Sequence, residues 1–338
     1  MFSLAKLYPL KILSFKKQGL YCEPGKFFID PWQVTDKAVI THAHADHARG
    51  GMGQYLCHNV SAPLLRARLS ADIKVQGIHY NESVSINGVK LSFHPAGHIL
   101  GSAQVRLEYK GYVVVISGDY KTEDDGITPP FEPLKCNEFI TESTFGLPIY
   151  RWKPQSAISN EILSWIQHNQ SHGKTSVLTG YSLGKAQRLM KLLEGTGKLY
   201  VHSSIARINE ALQGSGIRLP GYSVYEHGMN TKELSGQIII IPPAALSAEF
   251  IKKIPGVALG VCSGWMQIRG NRRWQAADAG FAISDHADWD GLLWAVKQSG
   301  AEKIMVTHGQ TEVFARYLNE NGYNASAIKT RFDEEEGD

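Results

Sequence analysis

The chain has 338 residues, an apolar fraction of 43% and a formal charge of +3, enough for two domains or one large one with a sizeable core. The charge is too small to attract nucleic acid over the whole surface, so a polyanionic partner must be gripped by local patches. The apolar runs near the N-terminus are broken by Lys6, Lys11, Lys16 and Lys17, and none approaches the roughly 20 residues of a membrane span or a secretory segment with its cleavage site. Neither export nor a membrane anchor is expected. Cys22, Cys57, Cys136 and Cys262 are scattered without C-x-x-C spacing, which fits small buried hydrophobes in a reducing, cytoplasmic compartment rather than disulfides or a thiolate metal site.

In chain order, short apolar runs that read as strands are followed by one Asp, Glu or His. Phe27 to Ile29 precedes Asp30. Ala38 to Ile40 precedes His42, His44, Asp46 and His47, three imidazoles and a carboxylate within six residues. Lone histidines are common, but four metal-binding side chains on the turn leaving a strand can converge on a pair of ions. Leu91 to Phe93 precedes His98, Val113 to Ile116 precedes Asp119, and Phe139 to Thr141 precedes Glu142. The stretch Ala157 to His168 then has helical spacing, with Ile158, Ile162, Trp165 and Ile166 as core and the helix expected to bridge two bodies.

Beyond it the texture changes to strand-then-helix units without such ligands. These are Thr175 to Thr179 with Leu183 to Leu193, Leu199 to His202 with Ile205 to Leu212, and the runs Ile238 to Ile241 and Val257 to Val261. They predict a parallel sheet with covering helices, a separate α/β layer over roughly 170–280. The first pattern then returns, with Phe281 to Ser284 before His286 and Ile304 to Val306 before His308. Seven strand ends carrying such residues point to one active centre at the edge of a sheet. The acidic tail from Asp333 to Asp338 reads as a solvated end, and His58, His79, His94, His168, His172, His202 and His227 as structural.

These positions together resemble the metallo-β-lactamase superfamily and, within it, the β-CASP nucleases. Asp30, the run His42-x-His44-x-Asp46-His47, His98 in Ala96-Gly97-His98 and Asp119 in Ser117-Gly118-Asp119 look like the superfamily's four motifs. Glu142, His286 in Ser284-Asp285-His286, and His308 in Thr307-His308-Gly309 look like the β-CASP motifs A, B and C. Leu183-Gly184-Lys185-Ala186-Gln187 and Ser263-Gly264-Trp265-Met266 resemble parts of the β-CASP insert. The resemblance implies an α/β fold: an αββα metallo-β-lactamase sandwich in 1–169 and 281–338, interrupted by a β-CASP domain in 170–280. Gly19-Leu20-Tyr21-Cys22, Ile29-Asp30-Pro31-Trp32 and Ala43 to Ala48 look most like the bacterial ligase-associated DNA exonucleases.

The resemblance further implies a ligand set. His42, His44 and His98 would hold one ion, Asp46, His47 and His308 the other, with Asp119 bridging. Three imidazoles suit zinc, whereas the second, harder set could accept manganese. Two such divalent ions supply nucleophile and electrophile together for phosphodiester hydrolysis. Asp30 would orient ligands from behind. His286 would be the general acid for the leaving oxygen with Glu142 orienting it, and Asp46 belongs with them as catalytic. Ser182 and Lys185, where a strand enters a helix, and the mixed cations and aromatics Trp265, Arg269, Arg272, Arg273 and Trp274 are the candidate nucleic-acid contacts. A solvated loop with packed tryptophans is the competing reading of the latter group.

The expected function is a DNA exonuclease of DNA repair acting on single strands or free ends, with a DNA ligase and a helicase as partners by resemblance and no membrane association. Artemis-type DNA-repair members usually lack a histidine at motif C, whereas His308 is present here, as in RNA-processing members. An RNA nuclease of the 3′-end-processing kind is therefore the first alternative, and a non-catalytic nucleic-acid-binding subunit the second.

Overall fold

Strands that bury one face need a second layer to cover it, and two sheets here do this for each other. The computed structural model describes residues 11–226, 229, 231–247, 249, 254, 256–268 and 277–328. The first sheet runs in the order β1 (Leu13–Lys16), β2 (Gly19–Cys22), β3 (Phe27–Ile29), β4 (Lys37–Val39), β5 (Gln54–His58) and β6 (Val75–Ile78). It is antiparallel up to β3 and parallel beyond. The second begins with the antiparallel run β7 (Ser83–Ile86), β8 (Val89–Pro95), β9 (Ala103–Tyr109) and β10 (Tyr112–Ile116). It continues in parallel through β11 (Glu138–Ser143), β18 (Lys303–Gly309) and β19 (Ala325–Ala327).

Between these sheets Ile29 and Val39 meet Leu91, Phe93, Val105 and Ile116 in one core. The outer face of the first sheet is covered by α1 (Ser61–Arg68), whose Leu64 and Leu65 pack with Ile40 and Tyr55. The outer face of the second is covered by α6 (Trp289–Ser299) and α7 (Thr311–Glu320), through Trp289, Leu292 and Phe314 on Val115, Phe139 and Val306. Helices therefore flank the paired sheets on both sides.

A third, fully parallel sheet is ordered β14 (Ser223–Val224), β13 (Leu199–Val201), β15 (Ile238–Ile241), β12 (Thr175–Thr179), β16 (Val257–Cys262) and β17 (Ala279–Phe281). Parallel sheets are buried on both faces, and β15 shows it. Its Ile238 and Ile240 join Ile162, Leu189 and Ile205 from α2 (Gln155–Ser171), α3 (Lys185–Leu192) and α4 (Ser203–Gly214). Ile239 and Ile241 face the other side with Tyr200 and with Leu234 of α5 (Thr231–Leu234).

Two expectations shift with this topology. The helix α2 does not bridge two bodies: Ile158, Ile162 and Ile166 all enter the core of the third sheet, and Trp165 lies against Phe281 with ring centroids 5.6 Å apart. Its single apolar stripe is satisfied there, leaving no second face. The apolar run before His286 ends earlier than expected, at Phe281, and pairs with β16 of the third sheet, so the chain reaches His286 as it returns from that sheet to the first two. Among the described residues no helix is long and apolar enough to cross a membrane, and all four cysteines are free.

Candidate metal centre

The turn after β4 carries His42, His44, Asp46 and His47 to the edge of the paired sheets, where His98, Asp119 and His308 arrive from the second. Ligand atoms of His42, His44, His98 and Asp119 lie within 4.8 Å of one another, as do those of His47, Asp119 and His308. Asp119 is common to both sets. His42, Asp46 and His47 also form a compact group, and Asp119, Glu142 and His286 a fourth. His308 reaches the cluster through a bulge: Glu142 pairs with Thr307 but Ser143 with Gly309, so His308 is the extra residue, with φ of 55° in the left-handed region. A bulge of this kind re-aims a side chain. Glu142 and His308 therefore lie within β11 and β18, not beyond their ends as the apolar runs suggest.

The donor set fits cations. His44 donates Nε2–H to the Leu183 carbonyl at 3.1 Å, and His98 donates Nδ1–H to the Asp285 carbonyl at 2.8 Å. Their remaining nitrogens, Nδ1 of His44 and Nε2 of His98, then confront each other as lone pairs 3.0 Å apart. Burial depresses the pKa of His44, and holds those of His42 and His98 well below the ordinary value, favouring the neutral form that ligates metals. Among the described residues the buried His42 Nε2, His47 Nε2 and Asp119 Oδ1 have no hydrogen-bond partner, His47 Nε2 and Asp119 Oδ1 facing each other at 3.4 Å. Such atoms are costly unless something satisfies them, and divalent cations would.

Asp30 anchors the other side. Its carboxylate accepts from Thr41 N–H at 2.8 Å, Thr41 Oγ at 2.5 Å and His47 Nδ1–H at 2.7 Å, which fixes the His47 tautomer with Nε2 toward Asp119. Burial alone would depress His47, but the carboxylates of Asp119 and Asp46 outweigh it and hold the ring well above its ordinary pKa. Asp119, which burial alone would raise, is pulled well down, chiefly by His47. Gly118 makes room for this arrangement: its φ is 58°, and a Cβ there would lie 2.7 Å from Thr41 Cβ.

Beside the cluster, His286 Nδ1 lies 2.9 and 3.0 Å from the two Glu142 oxygens. Glu142 is buried and also accepts from the Tyr120 N–H at 2.7 Å. Burial opposes protonation of His286, yet Glu142 prevails and its pKa is raised to about 9. The ring sits 4.6 Å from that of His98. Both line a cleft of about 560 Å³ that also takes in Asp46, Arg68, Tyr181 and Trp265.

Of the candidate nucleic-acid contacts, Ser182 and Lys185 line this cleft. Ser182 Oγ lies 2.9 Å from Ser204 Oγ, and Lys185 Nζ lies 3.3 Å from Asp285 Oδ2. The Gly184 and Ala186 N–H groups already bond to Gln187 and Tyr181. Arg269, Arg272, Arg273, Trp274, His227 and the acidic tail lie outside the described residues. Thr41, Arg68, Asp125, Asp285 and Arg188 were not singled out by sequence. Asp285 stands next to His286 in a quoted motif, the one available signal; the rest are isolated polar residues with no spacing to mark them.

A protein from Opitutus terrae named Probable DNA ligase is 30% identical over 313 residues, covering 92% of this chain and 30% of that one. Endoribonuclease YSH1 of Saccharomyces cerevisiae is 32% identical over 123 residues, covering 36% of this chain and 16% of its own. Cleavage and polyadenylation specificity factor 73 of Drosophila melanogaster is 26% identical over 181 residues, 52% of this chain and 26% of its own. The chain belongs to the β-CASP family of the metallo-β-lactamase superfamily. It spans less than a third of the length of each of these relatives. No family model matches it. A solved protein of unknown function from Enterococcus faecalis V583 shares the fold, with a TM-score of 0.61 at 11% identity over 87% of this chain and 79% of that one.

Proposed function

We propose that this β-CASP chain is a two-metal nuclease that hydrolyses phosphodiester bonds of DNA, an exonuclease of DNA repair acting on single strands or free ends. The observation that carries the reading is two ligand sets sharing Asp119, which also groups with the His286–Glu142 pair, beside a cleft that Asp46, His98, Asp119, His286 and His308 line. In this reading the paired sheets and their outer helices are the αββα sandwich and 170–280 the inserted β-CASP domain, with the first boundary moved from 169 to before α2, because Ile158, Ile162 and Ile166 pack in the core of the third sheet.

His42, His44 and His98 would hold one ion and Asp46, His47 and His308 the other, with Asp119 within reach of both sets. When bound, divalent ions such as zinc or manganese supply a nucleophile at neutral pH and neutralise charge on the phosphoryl oxygens. Asp30 keeps His47 in the ligating tautomer. Glu142 holds the proton on His286 Nδ1, leaving Nε2–H to protonate the departing oxygen as the general acid. Ser182 and Lys185 from the cleft wall, with Arg269, Arg272, Arg273 and Trp274, contact the strand. Tyr181 is 62% exposed and Trp265 38%, which gives bases aromatic faces to stack on.

DNA is favoured over RNA because the relative named Probable DNA ligase matches 92% of this chain, against 36% for endoribonuclease YSH1 of S. cerevisiae. The same relative suggests a DNA ligase as functional partner, and family resemblance adds a helicase; the cytoplasm is the proposed location. RNA 3′-end processing is the second reading, favoured by His308 at motif C. The test is metal-dependent digestion of end-labelled single-stranded DNA and RNA of one sequence. DNA should be degraded preferentially, with His286→Ala slower by roughly 10²–10⁴-fold and Asp46→Ala inactive. Preferential RNA cleavage would establish the second reading, and no cleavage of either strand would refute the nuclease.

A further inference from the structure

The two ligand sets are supported from different parts of the molecule. Behind His47 stands Asp30 at the end of β3, and behind His308 stands Thr307, whose Oγ1 lies 3.1 Å from His308 Nδ1; both belong to the paired sheets. Behind His44 and His98 stands the third sheet's body. The Leu183 carbonyl, just before α3, accepts from His44 at 3.1 Å. One turn later Arg188, buried at 3% exposure, spreads its guanidinium over three segments. Its Nη1 donates to Asp285 Oδ1 and to the Ser284 carbonyl, each at 2.5 Å, Nε and Nη2 donate to Asp125, and Nη2 also reaches the His98 carbonyl at 3.5 Å. Lys185 Nζ supports the other carboxylate oxygen of Asp285 at 3.3 Å, and the backbone carbonyl of the residue so held accepts the Nδ1–H of His98 at 2.8 Å.

The seam is closed tightly enough to transmit this. Gly184 has φ of 93°, and a Cβ there would come within 2.4 Å of Ile99 Cγ2, adjacent to His98. A planar, always-charged guanidinium can bridge two carboxylates in fixed geometry, which a lysine ammonium cannot.

We propose that Leu183–Arg188 is a positioning element for the His42–His44–His98 ion alone, so that retention of this ion depends on docking of the third sheet's body while retention of the other does not. The proposal rests on the two-metal reading above. The ion nearest the seam then reports whether the two bodies are closed on each other. Arg188 acts through Asp285 and the His98 carbonyl and is a positioning residue that supplies no ligand atom.

The test is calorimetric titration of the chelator-stripped chain with Zn²⁺ or Mn²⁺, comparing wild type with Arg188→Lys and Gly184→Ala, with circular dichroism and thermal unfolding to establish folding. Gly184→Ala leaves Arg188, Asp125 and Asp285 paired and covers the case in which Arg188→Lys does not fold. Wild type should bind two ions. Each folded variant should retain one ion at wild-type affinity and bind the other roughly 10–100-fold more weakly, the usual effect of losing an outer hydrogen-bond partner. Folded variants with two unchanged sites, or with both weakened alike, would overturn the proposal. A wild type that binds neither cation would instead overturn the metal reading itself.

Discussion

Asp30 shows how much one side chain can organise: three donors converge on its carboxylate, and one of them is a ring nitrogen of the cluster. An asparagine there would offer an amide in place of one acceptor oxygen and would no longer hold the His47 tautomer. Asp30→Asn is therefore expected to weaken the Asp46–His47–His308 ion roughly 10–100-fold while leaving the other ion and the fold intact. Calorimetric titration distinguishes the sites, and unchanged affinity at both would remove Asp30 from this role. The positions of Asp30, His42 and His98 can be read at residue scale because each follows an apolar run. Arg188 cannot: it resembles any exposed cation of a helix, and only its burial beside Asp125 and Asp285 reveals its function.

Among elements, the strand ends were less legible than the strands. The run Ile304 to Val306 announces β18, but nothing in it foretells that Thr307 and Gly309 both pair with β11 and leave His308 as a bulge. Such irregularities arise from the pairing of two distant strands, which local periodicity cannot encode. At the end of β5, His58 is buried and stacks on Tyr80 with centroids 3.6 Å apart. Burial first, and the neighbouring His79 second, lower its pKa to about 4. The unfolded chain therefore takes up a proton between about pH 6.5 and 4 that the native state refuses, so this contribution to stability is present above pH 6.5 and lost as pH falls through that window. Its size is roughly 3 kcal/mol at most. Replacing the ring by phenylalanine keeps the stack and should flatten the dependence: urea denaturation from pH 4 to 7 should give His58→Phe a shallower slope than wild type. Equal slopes would show that His58 does not titrate this way.

At the scale of the whole molecule, three buried polar atoms without a hydrogen-bond partner among the described residues, His42 Nε2, His47 Nε2 and Asp119 Oδ1, gather at one cluster on the edge of the paired sheets. Cations that bind there and not to the unfolded chain stabilise by mass action, about 3 kcal/mol for each ion present at a hundred times its dissociation constant. Stripping with a chelator should lower the melting temperature of the wild type by several degrees in calorimetry, and re-addition of Zn²⁺ or Mn²⁺ should restore it. A melting temperature indifferent to both would mean that the cluster holds no ion.

The sequence by itself determined the chemistry available: which residues carry imidazole or carboxylate, that they follow apolar runs, and that strand–helix units lie between Glu142 and His286. These are local patterns, legible because strand and helix periodicities are short. Only the tertiary structure decided that α2 belongs to the third sheet, that His308 is aimed by a bulge, and that Leu183, Lys185 and Arg188 support His44 and His98 across a seam. Each of these joins residues far apart in the chain, where partners are chosen by packing and charge compensation and no spacing rule connects them.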